Sequence, residues 1–243
     1  MAKLYIVGFG PGNAENMTEA CRGCLQMSDI IVGYSGYVKL LRPIYPDKTF
    51  YESGMTQERE RCSAAIQFAK NGQVVCVISS GDSGVYGMAT LIFELVGDNP
   101  DIDIEIIPGV TAAVSGAALL GAPLSHDFAV ISLSDLLTPW ETIEKRLRAA
   151  AAGDYVICLY NAGSKKRSGH LRTACGILRE SIPSNRLCGM ARNIGRDGQS
   201  ISIMTLGELH GVQADMTETV FIGNSATRKI GGRMVTPRGY RND

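Results

Sequence analysis

KLYIVGFGPG, Lys3 to Gly12, runs from a short apolar segment straight into a glycine-rich turn. Apolar runs of this length suit a parallel strand buried on both faces, and a turn at a strand's carboxyl end is where α/β sheets hold ligands. Comparable runs recur at Asp29 to Val32 and Gln73 to Ser79, and a more alternating strand follows at Ile102 to Ile107, with helical patterns between them. Strand and helix patterns in alternation predict βαβ units and a mostly parallel sheet. Thr56 precedes QERERCSAAIQFAK as an expected helix cap, and Asn71-Gly72 supplies the left-handed stop. Pro108-Gly109 closes the fourth strand, and Thr111 opens TAAVSGAALLGAP, a helix whose small residues permit close backbone packing.

Pro123 cannot continue that helix and a new strand follows, which predicts two α/β domains, 1–121 and 122–243. The second half reads as strands at 128–133, 155–160, 187–192, 201–205 and 219–222. Helices are expected around Trp140 to Ala151 and Leu171 to Glu180, and an irregular tail closes the chain. The turn-rich link IGRDGQ predicts an antiparallel hairpin and therefore a mixed second sheet.

The 243 residues are 45% hydrophobic and 20% charged, the balance of an ordinary globular protein. Lys plus Arg equals Asp plus Glu at 24 each, so there is no excess positive charge to bind nucleic acid or a membrane surface. No apolar run reaches the length of a membrane span, and the start reads as strand and turn, so a cytoplasmic protein is expected. The seven cysteines are scattered, and the lone CxxC of Cys21 and Cys24 has no second pair or histidine at zinc spacing. No resident metal is expected.

Two loops carry more information. GFGPG, Gly8 to Gly12, lacks the third glycine of a dinucleotide fingerprint, so it is a tight turn or a different ligand loop. SSGDSGVYGMA, Ser79 to Ala89, packs three glycines and an acid after an apolar strand. Such a loop lets backbone approach a ligand closely, and a cap of the next helix is the alternative role for Asp82.

GFGPG, SSGDSGVYG and PGVTA occur in the order and spacing of the tetrapyrrole methyltransferase family, and the resemblance runs from Lys3 to about Tyr240. HDFAVISLSDLLTPWETIEKR (126–146), LYNAGSKKR (159–167) and TPRGY (236–240) resemble the branch that methylates carbon 17 of precorrin-3B or cobalt-precorrin-3. Ala162 stands where that branch leads one to expect proline. The resemblance implies S-adenosylmethionine bound in a cleft between two α/β domains, methylation with contraction of the macrocycle in cobalamin biosynthesis, and a homodimer. Regiospecificity for carbon 11 or 20 and a noncatalytic tetrapyrrole-binding module are the alternatives.

The resemblance also assigns residues. Gly81, Asp82 and Val85, joined by Thr111 and Ala112, are expected around the methionine and ribose of the cofactor, and Gly10, Pro11, Tyr86 and Gly87 are further expected cofactor-binding residues. Leu133, Tyr160, Asn161, Met190, Ala191, Arg192, Thr219 and Val220 are expected around its adenine and ribose, with core packing the alternative for Tyr160 and Met190. For the polycarboxylate macrocycle, the candidates are Tyr34, Ser35 and Tyr37 with the cations Lys165, Lys166, Arg167 and Arg172. Arg192, Arg196, Arg228 and Lys229 form a second basic group. Asp82, His126 and Asp135 are candidate proton handlers, His126 and Asp135 having ordinary structural roles as alternatives.

Overall fold

The computed structural model describes residues 2–99, 101–164 and 167–240. It divides into two compact units, Met1–Thr111 and Ala112–Asp243.

The first unit contains β1 (Ala2–Gly8), α1 (Glu19–Met27), β2 (Ile30–Tyr34), α2 (Ser35–Leu41), β3 (Thr49–Ser53), α3 (Glu58–Lys70), β4 (Val75–Ser79), α4 (Ala89–Val96) and β5 (Ile102–Ile107). Its five strands are all parallel in the order β3-β2-β4-β1-β5. Every residue of β4 is buried, because apolar layers cover both faces of the sheet. Leu4, Ile6, Val75 and Val77 pack with α3 and α4 residues on one face, while Val7, Ile31, Cys76 and Ile78 pack with α1 and α2 residues on the other. The chain leaves β1 toward β2 and leaves β4 toward β5, in opposite directions along the sheet. Such a reversal between neighbouring strands opens a crevice at their carboxyl ends.

Thr18 caps α1 by accepting a hydrogen bond from the Cys21 N–H at 3.1 Å. The expected cap of α3 is not formed, since Thr56 takes a left-handed φ of 67° and Gln57 occupies the cap position without a side-chain bond. That turn is held instead by Arg61, only 3% exposed, whose guanidinium donates to Ser53 Oγ at 3.0 Å.

The second unit contains α5 (Ala112–Leu120), β6 (Gly121–Ala122), β7 (Phe128–Ser132), α6 (Trp140–Ala152), β8 (Val156–Tyr160), α7 (His170–Leu178), β9 (Leu187–Arg192), β10 (Ser200–Thr205), α8 (Leu206–Leu209), β11 (Glu218–Ile222), β12 (Arg228–Ile230) and β13 (Arg233–Val235). Its main sheet is mixed, in the order β10-β9-β11-β8-β7, with β7 parallel to β8 and the other pairs antiparallel. The hairpin expected from IGRDGQ is the β9–β10 pair.

The division at Thr111/Ala112 falls ten residues before the expected boundary, because α5 buries Ala113, Ala117 and Leu120 against Cys158, Ala191 and Phe221 of the second unit's core. A Cβ on Gly116 would lie 2.9 Å from the Phe221 ring, so this helix can approach the sheet only because the residue is glycine. The tail is not irregular either. β12 and β13 form a hairpin around Gly231-Gly232, both at positive φ, and β13 pairs parallel with β6. Three-residue strands are too short to show a period in sequence.

Candidate functional site

In the first unit the registers Gly8↔Ser79 and Val7↔Ile107 start three loops side by side at the carboxyl ends of β4, β1 and β5. GFGPG and SSGDSGVYG are joined by a two-bond bridge: Gly10 N–H donates to Gly81 O at 3.0 Å and Gly81 N–H to Gly10 O at 2.7 Å. Both glycines take positive φ, 77° and 69°. Asp82 ties in the third loop, one carboxylate oxygen accepting from Gly109 N–H at 3.0 Å and the other from Gly84 N–H at 2.8 Å. A Cβ on Gly8 would lie 2.7 Å from Gly81 O, so the loops pack backbone on backbone.

Asp82 is therefore a clamp between loops and not a helix cap, since α4 begins only at Ala89. Tyr86, a residue 54% exposed, takes a left-handed φ of 55°, a strained conformation within the loop. Gly87 turns the chain back, a Cβ there falling 2.4 Å from Ser83 O. Gly10, Pro11, Gly81, Asp82, Val85, Tyr86, Gly87 and Thr111 thus all belong to this one cluster of strand-end loops. Tyr34, Ser35 and Tyr37 sit at the carboxyl end of β2, the neighbour of β4. Ser35 Oγ donates to Ser53 O at 3.1 Å, and the rings of Tyr34 and Tyr37 meet edge to face at 5.2 Å. Both contacts serve the α2 turn.

In the second unit the expected residues gather at one end of the main sheet, where β7, β8 and β9 finish and β11 begins. Thr219 pairs with Ala191, and Val220 lies between Met190 and Leu159. Leu133 N–H donates to Tyr160 O at 2.9 Å, and Asn161, at φ 53°, donates to Ser132 Oγ at 2.9 Å. The Tyr160 hydroxyl accepts from Ala113 N–H at 2.7 Å, next to Ala112 at the start of α5. Arg192 at the end of β9 pairs with Asp215 at 3.1 Å. Met190, Ala191 and Val220 are buried.

The candidate proton handlers separate. His126 lies just before β7, at the other end of that strand, with Nε2 2.9 Å from Pro237 O, a contact that anchors the tail. Asp135 lies on the loop after β7 and pairs with His170 Nε2 at 3.1 Å. The bond from His170 holds the Asp135 carboxyl below the usual carboxylate range, and the nearby Arg167 charge adds to it. Asp135 is not the cap of α6, whose cap position is Pro139. Arg167 follows β8, and its buried Nε has no hydrogen-bond partner among the described residues. Lys165 and Lys166 lie outside the described residues. Leu136 and Leu137 project from the Asp135 loop, Leu137 being 98% exposed.

His170, missed by the sequence reading, is the main addition to the site. One histidine carries no motif, and only folding sets it beside Asp135, 35 positions earlier. The thiols add no chemistry, since burial pushes Cys21, Cys76 and Cys158 up to about 12. Among the described residues no group of three or more His, Cys, Asp or Glu is placed to hold a metal, and no helix is long and apolar enough to cross a membrane.

The model of the tetrapyrrole (corrin/porphyrin) methylases matches residues 3–210. A probable cobalt-factor III C(17)-methyltransferase of Salmonella typhimurium is 46% identical over 98% of this chain and 99% of that protein. A precorrin-3B C(17)-methyltransferase of Sinorhizobium sp. is 40% identical over 93% of this chain and 91% of that protein. Some relatives are longer: the chain spans 45% of a cobalt-factor III methyltransferase of Priestia megaterium. The crystal structure of the methyltransferase CobJ superposes with a TM-score of 0.90, at 38% identity, covering 98% of this chain and 100% of that one. The chain belongs to the tetrapyrrole (corrin/porphyrin) methylase family.

Proposed function

We propose that this protein methylates carbon 17 of precorrin-3B or its cobalt-bearing counterpart, with contraction of the macrocycle, and draws the methyl group from S-adenosylmethionine. The observation that carries the reading is likeness over nearly the whole chain to relatives named for the C(17) reaction, and the fold is shared with the methyltransferase CobJ. The residues fit such a donor. The glycine knot of Gly8, Gly81 and Gly109 leaves backbone groups, not side chains, at the carboxyl ends of three parallel strands.

S-adenosylmethionine supplies a sulfonium-activated methyl group. The chain's part is to hold donor and carbon nucleophile in line and to exclude water. Gly81, Asp82 and Val85 line the methionine and ribose, with Asp82 fixing the loop instead of touching a proton. Leu133, Tyr160, Asn161, Met190 to Arg192, Thr219 and Val220 serve the adenine. Lys165, Lys166 and Arg167 meet peripheral carboxylates of the macrocycle. The same reading carries a cytosolic homodimer.

The test is incubation with isotopically labelled S-adenosylmethionine and each macrocycle in turn, followed by mass spectrometry and NMR of the product. One labelled methyl on carbon 17 is expected. Label on carbon 11 or carbon 20 overturns the regiospecificity, and calorimetry that detects no S-adenosylmethionine binding overturns the donor.

A further inference from the structure

We propose that His170, oriented by Asp135, is the base that accepts the proton released by the methylated macrocycle. The proposal rests on the function proposed above and adds to it a residue and a step.

Three independent features converge on the loops after β7 and β8. The first is orientation. Asp135 Oδ2 lies 3.1 Å from His170 Nε2, and an ionised carboxylate can only accept, so Nε2 carries the hydrogen and Nδ1 is the basic nitrogen. No hydrogen bond to Nδ1 is found among the described residues. The second is rigidity. Trp140, the first residue of α6, meets the imidazole edge to face at 5.0 Å and 88°, and the His170 side chain is 19% exposed. A ring fixed on one edge by a carboxylate and on its side by an indole, with its other nitrogen left over, is the arrangement of a general base held by an orienting group. The third points to an anionic ligand: Arg167, close enough to act on Asp135, keeps a buried Nε without a partner among the described residues. An unsatisfied buried donor is costly and is resolved by an acceptor from a ligand, such as a peripheral carboxylate. The same two loops carry Leu133 and Asn161, so base, cation and cofactor candidates of this unit share one end of the sheet.

Transfer of a methyl cation equivalent to a neutral carbon leaves the macrocycle with one more positive charge. That charge is discharged when an acidic O–H or N–H of the macrocycle breaks, its electron pair staying on the macrocycle and its proton passing to Nδ1. The imidazolium faces the Asp135 carboxylate and, with its side chain 19% exposed, returns the proton to solvent.

The test compares His170→Asn, His170→Ala and Asp135→Asn with the wild type. In single turnover at saturating donor and macrocycle, His170→Asn is expected to be slower by about 10²-fold, the usual scale of general base catalysis. Donor affinity and the KM for macrocycle should stay within about twofold, the pattern of an interaction made only in the transition state. Added imidazole should restore part of the rate to His170→Ala, which it would not do for a merely structural histidine. In the free protein, 15N NMR should show a single Nε2–H tautomer in the wild type and a mixture in Asp135→Asn. Wild-type transfer rates in folded His170→Asn overturn the proposal. If the His170 variants do not fold, Asp135→Asn decides, and unchanged rate with an unchanged tautomer overturns it. A wild type that methylates neither macrocycle overturns the function proposed above, whereas methyl transfer that survives His170→Asn overturns only the role of His170.

Discussion

A Cβ on Gly109 would sit 2.1 Å from Gly81 O and 2.4 Å from Gly8 O, and neither backbone atom can step aside. Gly109→Ala is therefore expected to destabilise the protein by about 3 kcal/mol, at the upper end for overpacking, read as a lower urea midpoint. Asp82→Asn makes a finer probe. An amide offers one acceptor oxygen where the carboxylate uses two, so either Gly84 N–H or Gly109 N–H loses its partner. A stability loss of about 1–2 kcal/mol is expected, together with weaker S-adenosylmethionine binding in calorimetry. An unchanged affinity would separate the clamp from the cofactor. For the cations, replacing Lys165, Lys166 and Arg167 together by alanine should raise the macrocycle Kd at least about tenfold at low salt and less at high salt, because screening already weakens such contacts. The glycines and Asp82 were legible in sequence as a loop, but the clamp role of Asp82 was not. Its two partners come from different strand ends, and only the parallel pairing of β1, β4 and β5 brings those ends together.

Among the elements, the start of β8 shows how turns and charge combine. Asp154, between α6 and β8, takes a left-handed φ of 52°. Its carboxylate accepts from Ser225 N–H at 2.8 Å and from the Ser225 hydroxyl, and it pairs with Arg186 at 3.4 Å. Burial pushes this carboxyl up, but the Ser225 bonds and the Arg186 charge outweigh it and hold it below its ordinary value of 3.8. A carboxyl with a depressed folded pKa stabilises the fold above its unfolded value, and the contribution disappears as pH falls through the folded one. Asp154→Asn keeps a residue that tolerates positive φ and removes the charge. The wild type should exceed this variant by about 0.5–1 kcal/mol near pH 7, a modest figure because the group is nearly half exposed and screened. Urea titrations at falling pH should show that difference closing below 3.8. An unchanged difference at acid pH would assign the effect to packing. Strands of five or six residues were readable here, and β5 and β9 fall on their expected residues although each carries charge. The cap of α3 was not, because a buried Arg61 from the helix itself replaced the threonine that sequence rules favour.

At the scale of the whole chain, the homodimer carried by the resemblance predicts a sedimentation mass of two chains at micromolar concentration, and a single-chain mass would refute it. The sequence by itself determined the class of the fold, the parallel first sheet, the mixed second sheet and the family. These follow from local periodicity and from glycine loops whose spacing survives in the linear chain. The tertiary structure alone decided the rest. It assigned α5 to the second unit, because a helix of small residues goes wherever its flat face finds a matching sheet, and Gly116 fits it to Phe221. It turned the tail into a hairpin held on β6, and it separated His126 from Asp135. It also set His170 beside Asp135. Ion pairs and buried polar contacts between distant positions leave no period in sequence, since their energy depends on three-dimensional distance and not on spacing along the chain.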